Sequence, residues 1–119
     1  MLQQAKDYIE HHYTDPNMSL NEVAARVSHS PSHFSTLFSQ ETGQTFKAYL
    51  TQLRIKRAKE LLRTTTLKST EISYQVGYND AHYFSYVFRK TTELSPKEFR
   101  LQVQQERKPL DLASPSLPG

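Results

Sequence analysis

The chain has 119 residues, of which 23% are charged, and its 15 Lys and Arg against 12 Asp and Glu give a formal net charge of +3. It has no cysteine, which excludes a disulfide framework, a thiolate metal site and a cysteine nucleophile. The opening MLQQAKDYIE lacks the apolar core of a signal peptide, and no run approaches the roughly 18 apolar residues of a membrane span. The expectation is a soluble cytoplasmic protein of one domain or two very small ones, whose charge excess permits a polyanionic partner without requiring one.

Helical spacing dominates the chain, and strand-like alternation is hard to find. Ala5, Tyr8, Ile9 and His12 fall at i, i+3, i+4 and i+7 and predict a first helix, which TDPNMS (14–19) breaks at Asp15-Pro16. Ser19-Leu20-Asn21-Glu22 reads as a capping box, with Ser19 as N-cap and Glu22 reaching back. It opens a second helix carrying Leu20, Val23, Ala24 and Val27. Ser30-Pro31 opens a third, with Phe34, Leu37 and Phe38 on its apolar face and Gly43 placed to close it. A long helix follows from Thr45 or Phe46 to about Arg63. Ser69-Thr70-Glu71 then starts a short helix with Ile72 and Val76, Gly77-Tyr78-Asn79 turns, and Asp80 caps a helix with Phe84, Val87 and Phe88. Ser95-Pro96-Lys97-Glu98 opens a last helix with Phe99 and Val103. The segment 105–119, which includes the Pro- and Ser-rich KPLDLASPSLPG, has no period and reads as a flexible tail.

The grammar repeats. EVAARV (22–27) matches EISYQV (71–76) at an offset of 49, and HFSTLFSQETGQTFKAY (33–49) matches YFSYVFRKTTELSPKEF (83–99) at an offset of 50. Each copy is a short helix, a tight turn and a second helix. Where two helices cross steeply and touch, the contact needs a small residue, and Ala24 and Ser73 supply it. Val27 and Val76 fill the bend. The turn favours a residue that tolerates left-handed dihedrals, which suits Gly77 better than Ser28. Ser32, Ser35 and Thr36 remain exposed on the second helix of one copy. Ala81, His82, Ser85 and Tyr86 remain exposed in the other. These faces are short, polar and nearly free of acid, as a helix entering a major groove about 12 Å wide would need. A linking helix of about 18 residues spans roughly 27 Å. That is close to the ~34 Å recurrence of major grooves along one face of B-DNA.

The span from about Ala5 to Arg100 resembles the DNA-binding domain of AraC/XylS-type transcription regulators. The carrying motifs are SLNEVAARVSHSPSHFSTLFSQETGQTF, LRIKRAKELL and EISYQVGYNDAHYFSYVFRKTTELSPKEFR. The resemblance implies an all-α fold of about seven helices. Subdomain 1 covers about 1–44, a linking helix about 45–63 and subdomain 2 about 67–104. It implies double-stranded DNA as partner, RNA polymerase as a further partner, and usually activation of transcription. By position the base-reading residues are Ser32, Ser35 and Thr36, then His82, Ser85 and Tyr86. Small side chains at 32, 35 and 36 point to more backbone contact than specificity from the first unit. Where Gly43 follows Thr42, Glu93 follows Thr92, so the second reading helix is expected to end differently. Full-length relatives carry a further N-terminal domain, a ligand-sensing pocket or a receiver. QQAKDYIEHHYTDPNMSLNEVA is most similar to regulators with a receiver.

Arg89, Lys90 and Lys97 flank the second reading helix and are phosphate candidates. Arg54, Lys56, Arg57, Lys59 and Arg63 concentrate charge on the linking helix, and Arg54 is the phosphate candidate among them. Five histidines show no HExxH spacing and no cysteine support for a metal. Nothing resembles G-x-S-x-G or a triad. The expectation is no enzyme, no cofactor and no metal. The alternative to DNA binding is a helical protein-interaction module that kept this fold.

Overall fold

The computed structural model describes the backbone of residues 1–116 and the side chains of residues 1–106. Among the described residues the chain is all-α. Its helices are α1 (Leu2–His12), α2 (Leu20–Arg26), α3 (Pro31–Thr42), α4 (Phe46–Thr64), α5 (Ser69–Gln75), α6 (Ala81–Thr92) and α7 (Pro96–Ser116). None is long and apolar enough to cross a membrane.

Capping chemistry fixes most starts. Ser30 Oγ accepts the His33 amide at 3.2 Å, Thr45 Oγ1 the Ala48 amide at 3.1 Å, and Ser95 Oγ the Glu98 amide at 3.1 Å. Asp80 Oδ1 accepts the amides of both His82 and Tyr83. Each such bond satisfies a backbone donor that the first helical turn leaves open. At α2 only half of the expected box forms. Ser19 Oγ accepts the Glu22 amide at 3.2 Å, while the Glu22 carboxylate accepts the Tyr8 hydroxyl and ties α2 to α1. That bond raises the Tyr8 pKa, with burial adding to it.

The duplication extends to individual hydroxyls. Thr42 Oγ1 donates to the Phe38 carbonyl at 2.7 Å and accepts the Gln44 amide at 3.2 Å. Thr92 Oγ1 donates to the Phe88 carbonyl at 2.8 Å and accepts the Leu94 amide at 3.2 Å. Contrary to expectation, α6 ends as α3 does. Gly43 closes α3 at φ +78°, and Glu93 closes α6 at φ +69°, its amide donating to the Arg89 carbonyl at 2.7 Å. The Thr hydroxyl and the packing of Leu94 on the core hold the left-handed bend, so a residue with a Cβ is carried into it.

Two separate cores result. Ala5, Ile9, Val23, Ala24, Phe34, Phe38 and Leu50 form the first, flanked by Phe46, Tyr49 and Leu53. Ile55, Ala58, Leu61, Leu62, Ile72, Val76, Phe84, Phe88 and Phe99 form the second. All four phenylalanines of the repeated helices are fully buried. So α4 gives residues up to Leu53 to the first core and residues from Ile55 to the second. Arg100 secures the far end of α4: its guanidinium donates to the carbonyls of Leu62, Thr65 and Leu67 at 3.1, 3.0 and 2.7 Å. The Leu62 carbonyl is one that the helix C-terminus otherwise leaves open, and the other two lie in the chain that follows it.

The last helix corrects the sequence reading. The backbone of 105–116 continues α7 instead of forming a loose tail, and 117–119 lie outside the described residues. Among the residues whose side chains are described, Val103 is the last of α7 packed on the core. A missing apolar period does not show that the backbone leaves the helix.

Left-handed backbone costs a side chain about 1–2 kcal/mol relative to glycine. Glu93→Gly is therefore expected to raise stability by about 1 kcal/mol, and Gly43→Glu to lower it comparably, as read by urea unfolding followed by circular dichroism.

Candidate nucleic-acid interface

The two repeated units each pair a short helix with a second helix whose outer face is solvent-accessible. In the first unit, α2 turns into α3 through Ser28, which takes φ +59°. Ser32 and Thr36 are exposed and Ser35 is half-buried. The Thr36 hydroxyl donates to the Ser32 carbonyl at 3.2 Å, so what it turns outward is acceptor capacity. In the second unit, α5 turns into α6 through Gly77. His82 and Tyr86 are exposed, and Ala81 and Ser85 are half-buried. None of the six reading candidates is tucked into a core.

The second face is more aromatic than sequence reasoning expected. Tyr86 is 59% exposed, Tyr74 54% and Tyr83 45%. Tyr74 stands on α5 beside a shallow groove of about 530 Å³ that His82 and Ser85 also line. Asp80 lines it too, but its carboxylate already accepts two amides. Tyr83 lies 6.4 Å from Tyr86 between ring centroids, and 5.9 Å from Tyr78. Sequence reasoning passed over Tyr74 and Tyr83. The signal was the repeat itself, which aligns Tyr74 with Ala25 and Tyr83 with His33.

A second cleft, also about 530 Å³, opens between the first turns of α4 and the flank of α6, and Lys47, Thr51, Tyr83, Tyr86 and Lys90 line it. The Lys90 ammonium stands 5.8 Å from the Tyr86 ring centroid, within cation–π range. Arg89, Lys90 and Lys97 are all exposed.

Arg54 is placed elsewhere. It is 8% exposed, and its Nε donates to the Tyr13 carbonyl at 2.8 Å and a terminal nitrogen to the Asp15 carbonyl at 2.9 Å. Its guanidinium carbon lies 5.1 Å from the centroid of the Tyr78 ring. Burial lowers its pKa, opposed by Tyr78 and Asp15. The assignment of Arg54 to phosphate is thus corrected: its donors and its ring contact face inward. Counting charges along a helix does not tell which ones fall on the buried side.

The histidines are also repositioned. His29 and His33, on either side of the predicted helix boundary, stack with centroids 5.1 Å apart, and His29 Nδ1 lies 2.7 Å from the Val27 carbonyl. Among the described residues no group of three or more His, Cys, Asp or Glu is arranged to hold a metal.

Two helix-turn-helix units sharing one helix define a class of DNA-binding fold. A family model described as a helix-turn-helix domain matches residues 5–102, and the chain belongs to that family, in its AraC-type branch. It is 40% identical over 99 residues to the arabinose operon regulatory protein of Escherichia coli strain K12, which covers 83% of this chain and 34% of that protein. The C-terminal domain of AraT, a response regulator from Geobacillus stearothermophilus, is similar in structure at a TM-score of 0.83 and 37% identity, over 85% of this chain and 84% of that one. The DNA-binding domain of AdpA, in complex with a target DNA, shares the fold at a TM-score of 0.84 and 22% identity, over 90% and 96% of the two chains. The chain spans about a third of the length of the curated relatives it matches.

Gly77 carries a packing constraint besides its dihedral. At φ +110° a Cβ there would stand 2.5 Å from the Tyr13 carbonyl oxygen and 2.6 Å from Arg54 Nε. Gly77→Ala is expected to lower stability by more than the roughly 1–2 kcal/mol of left-handed strain alone. Ser28→Gly, at the matching turn, is expected to raise it by about 1 kcal/mol. Thermal unfolding of the two variants side by side checks both.

Proposed function

We propose that this chain is the DNA-binding part of a transcription regulator that reads double-stranded DNA with α3 and α6 in successive major grooves. The observation that carries the reading is the duplicated unit on a shared helix, each copy offering an exposed polar face. Ser32, Ser35 and Thr36 would face base edges from one groove and His82, Ser85 and Tyr86 from the next. Arg89, Lys90 and Lys97 would take phosphates, which position a protein without specifying sequence. The second unit carries more of the specificity, because its reading side chains are longer and aromatic. Since the chain covers about a third of its relatives' length, an N-terminal receiver or ligand-sensing domain would complete the protein. The likeness to a response-regulator C-terminal domain supports the receiver. RNA polymerase would be a partner on DNA, the setting cytoplasmic, and the role non-enzymatic.

The test is electrophoretic shift, at several salt concentrations, on duplexes selected by the chain from a randomised pool. The expected result is a loss of affinity with a log–log slope of about −0.9 per phosphate contact. His82→Ala and Tyr86→Ala should each cost about 1–3 kcal/mol on the selected site and little on scrambled duplex, while Arg89→Ala should weaken all sequences alike. A flat salt response, or equal affinity for selected and scrambled duplex, would overturn this reading and favour the protein-interaction module.

A further inference from the structure

Along α4 the first core gives way to the second at the middle of the helix, and the residue there is Arg54. On its N-terminal side Leu50 and Leu53 belong to the first core, and on its C-terminal side Ile55 and Ala58 belong to the second. Its guanidinium touches both units. The carbonyls it holds, Tyr13 and Asp15, lie in the connection between α1 and α2. The ring it faces, Tyr78, follows the turn glycine of the second unit. That turn comes so close that Gly77 has no room for a Cβ, which would run into both the Tyr13 carbonyl and the Arg54 Nε bonded to it. Tyr78 in turn packs on Phe84 of α6, centroids 5.6 Å apart. A continuous path of contacts therefore runs from the end of α1, through one guanidinium, to the base of the second reading helix.

We propose that Arg54 is a positioning residue, a clamp that fixes the orientation of α6 relative to α3 and thereby sets the one half-site spacing the chain accepts. Shared packing on α4 holds each unit to the helix. On this proposal that packing alone would let each unit rock about it, since each core grips a different stretch. The clamp removes that freedom, because it joins the units directly and joins them through directional groups. A planar guanidinium can donate in its plane to two carbonyls while its face lies on a ring, whereas an ammonium is a point charge on a flexible stem. The clamp acts before DNA arrives. A pair of reading helices held in register binds its second groove as an intramolecular event at high effective concentration, and a pair free to rock does so at a lower one.

The spacing function rests on the DNA-binding reading above; the clamp itself can be tested without DNA. The chain has no cysteine, so Gln40→Cys on α3 and Thr91→Cys on α6, both exposed, take nitroxide labels cleanly. Double electron–electron resonance is expected to give a narrow distance distribution for the doubly labelled chain and a broadened or shifted one when Arg54→Met is added. Met keeps the apolar stem and removes the fork. Tyr78→Leu, which removes only the ring, should broaden it less. If Arg54→Met does not fold, Arg54→Lys and Tyr78→Leu carry the same comparison. Unchanged distributions in the variants that fold would overturn the clamp whatever the DNA result.

The second arm uses unlabelled protein and fluorescence anisotropy. Its probes are duplexes carrying two half-sites from the selected pool, spaced from 2 bp below to 2 bp above the selected separation, and one duplex with a single half-site. The native chain is expected to show one sharp optimum of spacing. Arg54→Met should lose about tenfold on the optimal duplex, change less than twofold on the single half-site, and flatten the profile. An equal loss on the single half-site, or an optimum as sharp as the native one, would reduce Arg54 to a residue of general stability. Absence of any duplex selectivity in the native chain would defeat the DNA-binding reading and leave the resonance result standing.

Discussion

Arg54 occupies the point on α4 where the helix passes from one core to the other, and the geometry of the whole chain runs through it. Each unit is a small hydrophobic cluster that closes on itself around two phenylalanines from its second helix. The two clusters occupy different stretches of α4. The long helix supplies a common axis, and the guanidinium supplies the rotation about it, held by two carbonyls from one side and an aromatic face from the other. A buried cation of this kind is stable because its donors are engaged. Leaving one of these groups buried without its partner would cost far more than the bonds contribute.

The two units are alike in what folds them and unlike in what they show to solvent. Thr42 and Thr92 make the same pair of hydrogen bonds, and Thr45 and Ser95 cap the helices that follow in the same way. Even the left-handed closure is shared, by a glycine in one copy and a glutamate in the other. Outside, Ala25 answers Tyr74, His33 answers Tyr83, and Thr36 answers Tyr86. Conserving the frame while varying the face is how one supersecondary unit gives two surfaces of different reading power.

Much of this was legible in the chain itself. Ser30-Pro31, Thr45, Asp80 and Ser95 announced helix starts because capping is a local interaction between a side chain and amides two or three residues on. The apolar spacing named the buried phenylalanines, and the internal repeat exposed the duplicated unit. The misreadings were of a different kind. Glu22 satisfied the capping pattern, yet its carboxylate went to Tyr8, fourteen residues away. Glu93 lacked the residue type the bend prefers, yet Thr92 and Leu94 impose the bend. The end of α7 lacked a period and remained helical.

Local order and the list of inward-facing apolar residues were therefore set by the sequence alone, since both follow from contacts within a turn or two of helix. The fate of Arg54 and the crowding at Gly77 were decided only in three dimensions. Each depends on groups brought together across tens of residues, where no spacing rule reaches. Helical spacing sets Arg54 on the stripe of Leu50, Ala58 and Leu61, but which groups its guanidinium bonds is settled only when the neighbouring units pack around it.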